Sequence, residues 1–215
     1  MKERPIIFSG PMVRAILEGR KTMTRRTVKP AKCRDTGCEL APCEIAGEVN
    51  GDNPDYRYSL YGKPGDRLWV RETFITGYKL DDDELRVGDE RVWYRADGEL
   101  DAWLDEDGYM SDPKWRPSIF MPRALSRITL EITAVRVERL QDISEEDARA
   151  EGAKCACRAS GREVLFPDQS QHIGSWKLHF QEIWQSINGP GSWDANPWVW
   201  VIEFRRAGEA GYAPR

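Results

Sequence analysis

The sequence predicts an α+β protein, a small, mostly antiparallel β-barrel decorated by about three helices. Three observations lead there. Short apolar runs with strand-like alternation recur from Pro5 to Phe204, three segments carry apolar residues at helical spacing, and the strands meet across long polar excursions. At 215 residues, 40% of them hydrophobic, the chain suits one domain with a packed core. Residues 1–206 form that domain, with loop-rich insertions at about 30–60 and 79–113, and residues 207–215 form a frayed tail.

The first strand is Pro5 to Phe8. Ser9-Gly10-Pro11 then starts a helix, with Ser9 as candidate cap and Pro11 tolerated in the first turn. Met12, Val13, Ile16 and Leu17 supply its apolar face, and Gly19 stops it. An extended segment, Thr22 to Val28, follows. Residues 30 to 66 are dense in Pro, Gly, Asn and Asp and read as a loop-rich excursion. The turn Gly62-Lys63-Pro64-Gly65-Asp66 delivers a strand in which Leu68 and Val70 alternate with Arg67 and Arg71.

Arg91 to Ala96 is a further strand inside an acidic stretch, Lys79 to Asp107, with twelve acids against four bases. That stretch reads as a solvated loop system. Pro117 and Pro122 hold the segment from Lys114 to Arg123 extended. Ser126 to Arg139 alternates almost strictly, with Ile128, Leu130, Ile132, Val135 and Val137 inward and a register change near Ala134 that implies a bulge. A short helix runs from Asp142 to Gly152 with Ser144 as its cap, and a longer amphipathic one from Gln169 to Asn188. Trp198 to Phe204 closes the fold as a strand.

Charge singles out one stretch. From Arg14 to Arg34 eight basic residues face one acid, a local charge of +7 in a chain of −4. Such asymmetry points to an anionic partner, RNA or a nucleotide, or else to a solvated basic hairpin. No apolar run is long enough for a signal peptide or a membrane span, so a cytoplasmic protein without a membrane partner is expected; the oligomeric state stays open. Five cysteines fit a disulfide scaffold poorly. Cys33, Cys38 and Cys43, with Cys155 and Cys157, could converge on a structural zinc with His172 as an extra ligand, although no standard knuckle spacing is present. The other reading is reduced loop thiols.

Four blocks carry a resemblance. Gly19-Arg20-Lys21 followed by Thr24 and Arg26, the turn Lys63 to Leu68, the segment Ile143 to Gly152, and the closing Trp-Val-Trp-Val-Ile-Glu-Phe strand resemble ASCH domains, a branch of the PUA-like barrel superfamily. The wording of the whole chain is similar to ASCH proteins carried by prophages. The resemblance implies a cleft lined by the Gly-x-Lys motif and suited to RNA or a modified nucleoside. Small bacterial members remove the acetyl group from N4-acetylcytidine with a Lys, a Thr and a Glu, and the matching positions here are Lys21, Thr24 and Glu151. Other members bind or cleave RNA. No cofactor is required for such hydrolysis.

The residues themselves allow this chemistry. A threonine hydroxyl attacks an amide only when a base takes its proton. A lysine crowded by Arg20, Arg25 and Arg26 has its pKa lowered and can be that base. Glu151 can orient the lysine or protonate the departing amine. Arg20, Arg25 and Arg26 would hold a phosphate or a carbonyl, joined by Glu72 and by Trp69 and Trp115, whose rings, like that of Trp193, could stack a base. Each has a plain alternative: Lys21 as a helix-end cation, Thr24 as a strand residue, Glu151 as a solvated acid. A non-catalytic RNA-binding module, or a ribonuclease, remains the competing function.

Overall fold

The computed structural model describes residues 1–33, 35–80, 86–98, 103–104, 114–154 and 175–208. Along the chain come β1 (Glu3–Ile7), α1 (Gly10–Leu17), β2 (Met23–Thr27), β3 (Ala31–Lys32), β4 (Glu39–Leu40) and α2 (Pro42–Asn50). Next are β5 (Arg67–Arg71), β6 (Phe74–Leu80), β7 (Arg86–Tyr94) and β8 (Trp103–Leu104). The chain ends with β9 (Thr129–Arg139), α3 (Glu145–Ala150), α4 (Trp176–Asn188) and β10 (Trp198–Arg206). The result is a mixed α/β fold. Its central sheet has five strands in the order β1-β5-β9-β10-β2, beside a two-stranded hairpin and a three-stranded sheet.

The closed barrel expected from sequence is not formed among the described residues. β1 and β2 are the two edges of the central sheet, and β1 pairs with β5 in parallel. Those edges still approach one another, because Arg26 Nη2 on β2 donates to the Ile7 carbonyl at the end of β1 at 2.9 Å. β1 stops where Ser9 and Gly10 turn the chain into α1, so side chains rather than a backbone ladder fill the gap.

β10 lies between β9 and β2 and is buried on both faces, which its unbroken apolar run requires. Trp200, Ile202 and Phe204 enter one core with Ile6, Phe8, Val13 and the inward residues of β5 and β9. Val199 and Val201 face the other, under α3 and α4, with Met23, Phe180 and Trp184. The expected bulge is present: Glu203 opposes Ala134 while Phe204 opposes Ile132, leaving Thr133 as the extra residue. That one-residue shift lets Ile132 and Val135 both point inward.

The excursion after β2 holds structure that its composition hides. α2 begins at Pro42, and the Glu44 carboxylate accepts from the Ala41 N–H at 2.7 Å. Ile45, Ala46 and Val49 bury its inner face, and Asn50 exchanges two hydrogen bonds with the Val137 backbone. α3 is capped as expected, with the Ser144 hydroxyl accepting from the Asp147 N–H at 3.0 Å. α4 is described only from Trp176. The acidic stretch, expected as a loop system around one strand, holds β7 and β8, both paired antiparallel with β6, while nine of its twelve acids lie outside the described residues.

Candidate active site

Lys21 and Glu151 are brought together by two helix ends. α1 stops at Gly19, whose φ of +71° suits glycine, and the next two N–H groups both donate to the Ala15 carbonyl at 2.9 Å. The chain then runs beside the end of α3, where the Thr22 N–H donates to the Ala150 carbonyl at 2.8 Å. Lys21 and Glu151 form an isolated antiparallel bridge there. Lys21 Nζ donates to Glu151 Oε2 at 2.7 Å and to the Glu151 carbonyl at 2.8 Å. Gly152 permits the approach: a Cβ on it would stand 3.2 Å from Lys21 Cβ and 3.1 Å from Ala15 Cβ.

Only 2% of Lys21 and 8% of Glu151 is exposed, so neither is a solvated surface charge. Burial pushes the Lys21 ammonium pKa below its ordinary value, while the Glu151 carboxylate pulls it back up. Arg26 and Arg25 lower it further as lesser causes. Crowding by cations, expected from sequence to be the main influence, is therefore secondary to burial.

A cavity of about 540 Å³ opens between the two sheet edges, where a barrel would close. One wall carries Phe8, Arg25, Arg26 and Glu151; the opposite wall is the α4 face with Phe180, Ile183, Trp184 and Ile187. Ser9, Thr73 and Ser118 lie among the remaining lining residues. The Lys21 ammonium and the Arg26 guanidinium stand 5.7 and 5.3 Å from the Phe8 ring centre. Thr24 is fully buried, and its Oγ1 accepts from Arg26 Nη1 at 3.1 Å. Lys21 and Thr24 do not line the cavity themselves, but each is bonded to a residue that does, Lys21 to Glu151 and Thr24 to Arg26. This volume falls in the range of ligand pockets.

Arg25 faces the other way from Arg26, as neighbours on a strand must. Its Nη2 lies 2.6 Å from both Glu138 and Asp147, and its Nη1 lies 3.4 Å from Glu151 Oε1. Arg136 grips Glu138 at 2.9 Å and Asp147 at 2.5 Å from the far side, and also pairs with Glu203. Among the described residues, three of the eight cations of the basic stretch are therefore paired with acids. Lys21 and Arg25 are buried against acids, and Arg20 lies at the surface on Glu18 at 2.5 Å. Arg26 lines the cavity without a carboxylate partner among the described residues, and burial lowers its pKa.

The other expected site residues are elsewhere. Glu72 is 1% exposed and held by both oxygens at 3.0 Å from Arg127, which also grips Asp97. Trp69 lies under Arg71 and Arg123, and Trp115 under Arg95; neither ring lines the cavity. Trp193, expected as a possible stacking ring, is 7% exposed and packs on Phe180 in the core beneath α4. Cys33, Cys38 and Cys43 are free thiols, and among the described residues no group of three or more His, Cys, Asp or Glu is placed to hold a metal. Cys155, Cys157 and His172 lie outside the described residues.

Sequence reasoning missed the apolar wall of α4 as part of a site, and it missed Glu138, Asp147 and Arg136. The alternation of β9 offered a signal, since Arg136 and Glu138 share its polar face, but their partners become visible only once the strands are paired. No helix of the described residues is long and apolar enough to cross a membrane. No family model matches the chain, and no curated protein does. Its structure is similar to that of an ASCH domain from Lactobacillus crispatus JV V101, at 12% identity and a TM-score of 0.39, over 95% of this chain and 79% of that one.

Proposed function

We propose that the protein is an ASCH-type amidohydrolase that removes the acyl group from an N4-acylated cytidine or a related modified nucleoside. The observation that carries this reading is the buried Lys21–Glu151 pair, whose Glu151 lines the cavity together with Arg26, the guanidinium that holds the Thr24 hydroxyl. A lysine whose pKa is lowered by burial is closer to the neutral form that a base needs. Motif matches at Gly19 to Arg26 and at Ile143 to Gly152 support the family assignment, and the cavity is of a size for a nucleoside.

In this reading the Arg26 fork turns from Thr24 to the substrate's carbonyl oxygen and uncovers the hydroxyl. Neutral Lys21 takes the Thr24 proton as Oγ1 attacks the carbonyl carbon, and Arg26 holds the developing oxyanion. The C–N bond then breaks, and the Lys21–Glu151 pair returns the proton to the departing amine. Water hydrolyses the Thr24 ester, releasing the carboxylic acid and restoring the hydroxyl. Glu151, which holds Lys21 Nζ on one oxygen and faces the cavity, keeps the lysine aimed throughout.

The test is to incubate the pure protein with a series of N4-acyl cytidines and follow the ultraviolet shift on deacylation. Mass spectrometry of the quenched reaction should find an acyl adduct on the peptide containing Thr24. Absence of turnover across the series at high protein concentration would remove the reading. A non-catalytic RNA-binding module draws less support, because Lys21, Arg25 and Arg20 are occupied by acids and offer little to phosphates.

A further inference from the structure

Four carboxylates and three cations form a continuous network that reaches the cavity at Arg25 and Glu151, and only one of its links has so far been given a role. Glu151 divides its oxygens: Oε2 lies 2.7 Å from Lys21 Nζ, and Oε1 lies 3.4 Å from Arg25 Nη1. The Arg25 side chain is fully buried, so its position depends on what grips it, and its Nε has no hydrogen-bond partner among the described residues. The grip comes from Glu138 on β9 and Asp147 on α3, both 2.6 Å from Nη2. Two carboxylates converging on one nitrogen repel each other unless a second cation neutralises them. Arg136 is that cation: it meets Glu138 through Nε and Asp147 through Nη2, while Glu203 on β10 anchors its third nitrogen.

We propose that Arg136 is a positioning residue for the reaction, holding the Glu138–Asp147 pair so that Arg25 stays within reach of Glu151. This rests on the amidohydrolase reading above. With its side chain 33% exposed at the edge of the network, Arg136 touches neither the cavity nor Lys21. Its influence therefore passes through Arg25 and through Asp147, whose backbone carbonyl accepts from the Glu151 N–H at 2.8 Å. Removing its charge leaves Glu138 and Asp147 sharing Arg25, draws that guanidinium toward them, and leaves Lys21 alone to neutralise Glu151. Both the extra negative charge and the loosened Glu151 favour protonated Lys21. The groups facing Lys21 are Glu151 from the end of α3 and Arg25 and Arg26 from β2, so no other acid offsets that change among the described residues.

The experiment is the pH–rate profile of N4-acetylcytidine hydrolysis for wild type, Arg136→Gln and Arg136→Lys, with the Lys21 13Cε resonance titrated in parallel. The expected result for Arg136→Gln is a roughly 2- to 30-fold lower kcat at neutral pH. KM stays unchanged, and the limb that reports Lys21 deprotonation and the 13Cε midpoint both move to higher pH. Arg136→Lys keeps the charge and recovers most of the rate. An unmoved limb and midpoint in Arg136→Gln overturn the proposal, as does a loss expressed in KM or a Lys variant as impaired as the Gln one. Should Arg136→Gln fail to fold, Glu203→Gln, which frees the anchor of Arg136, is read for the same shift. If the wild type turns nothing over, the amidohydrolase reading fails, while the 13Cε titration still decides whether Arg136 sets the state of Lys21.

Discussion

Two buried acids in this molecule are each held by cations, and they differ in what they leave open. Glu72 gives both oxygens to the Arg127 fork at 3.0 Å, Asp97 occupies the rest of that fork, and the Tyr94 ring covers it at 3.9 Å. Glu151 gives one oxygen to Lys21 and the other, at a longer reach, to Arg25, and its side chain lines a cavity. The first arrangement is closed: every strong donor has an acceptor, and it ties β5, the Arg95–Asp97 turn and the entry to β9 together. The second is open, with a short Nζ–Oε2 hydrogen bond of 2.7 Å and a cavity beside Glu151. The unfilled side distinguishes the Glu151 pair from the Glu72 pair and makes Glu151 the candidate for chemistry.

The largest effect that sharpens this contrast is on rate. Lys21→Met should lower N4-acetylcytidine turnover by about 10³-fold, within the range for loss of a general base, as read by the ultraviolet assay. The matching change at the closed site should act on stability instead. Arg127→Met strands Glu72 and should cost about 3–5 kcal/mol in urea denaturation, with the kcat of the folded fraction kept. If Arg127→Met abolished activity in folded protein, the division between the two sites would break down.

Stability against pH separates them next. The folded-state pKa of Lys21 lies below that of the unfolded chain because burial disfavours its charge, so the unfolded state binds more protons in the window between the lowered value and 10.5. Stability should rise with pH through that window, and Lys21→Met should flatten the rise. Burial raises the Glu72 carboxyl above 4.5 in spite of Arg127, so the folded state binds more protons just above that value. There stability should fall as pH rises, and Glu72→Gln should remove the fall. Denaturant midpoints at a series of pH values check both.

The candidate site was legible in the sequence to an unequal degree. Gly19 as a helix stop placed Lys21 beside a helix end, and the Ser144 cap with Gly152 placed Glu151 at another; both rules are local and both ends formed as expected, although Ser9 begins α1 without a side-chain cap bond. The pairing of those two ends joins residues 130 positions apart and is visible only in three dimensions. Composition misled in the excursion after β2, where Pro, Gly and Asn mark the ends of α2 and hide its apolar face of Ile45, Ala46 and Val49. Charge misled in the basic stretch, because a strand sends alternate cations to opposite faces, and Lys21 and Arg25 meet acids from α3 and β9 that sequence spacing does not announce. The barrel expectation failed at one place, the β1–β2 edge, where the turn into α1 leaves a cavity in place of a ladder.

The smallest expected effect touches only the open site. Ser144→Ala removes the cap of α3 and should cost about 1 kcal/mol in thermal or urea unfolding. Because α3 carries Asp147 and leads to Glu151, the same change should lower turnover slightly while leaving the Glu72–Arg127 clamp intact.

The most direct measurement sets the two acids against each other in one assay: hydrolysis of N4-acetylcytidine by wild type, Glu151→Gln and Glu72→Gln, each corrected for its folded fraction. The prediction is clear turnover by the wild type, a loss of about 10²- to 10⁴-fold in Glu151→Gln, and near-normal turnover in Glu72→Gln. A wild type without turnover, or equal losses in the two variants, would contradict the assignment of the open pair as the reactive one.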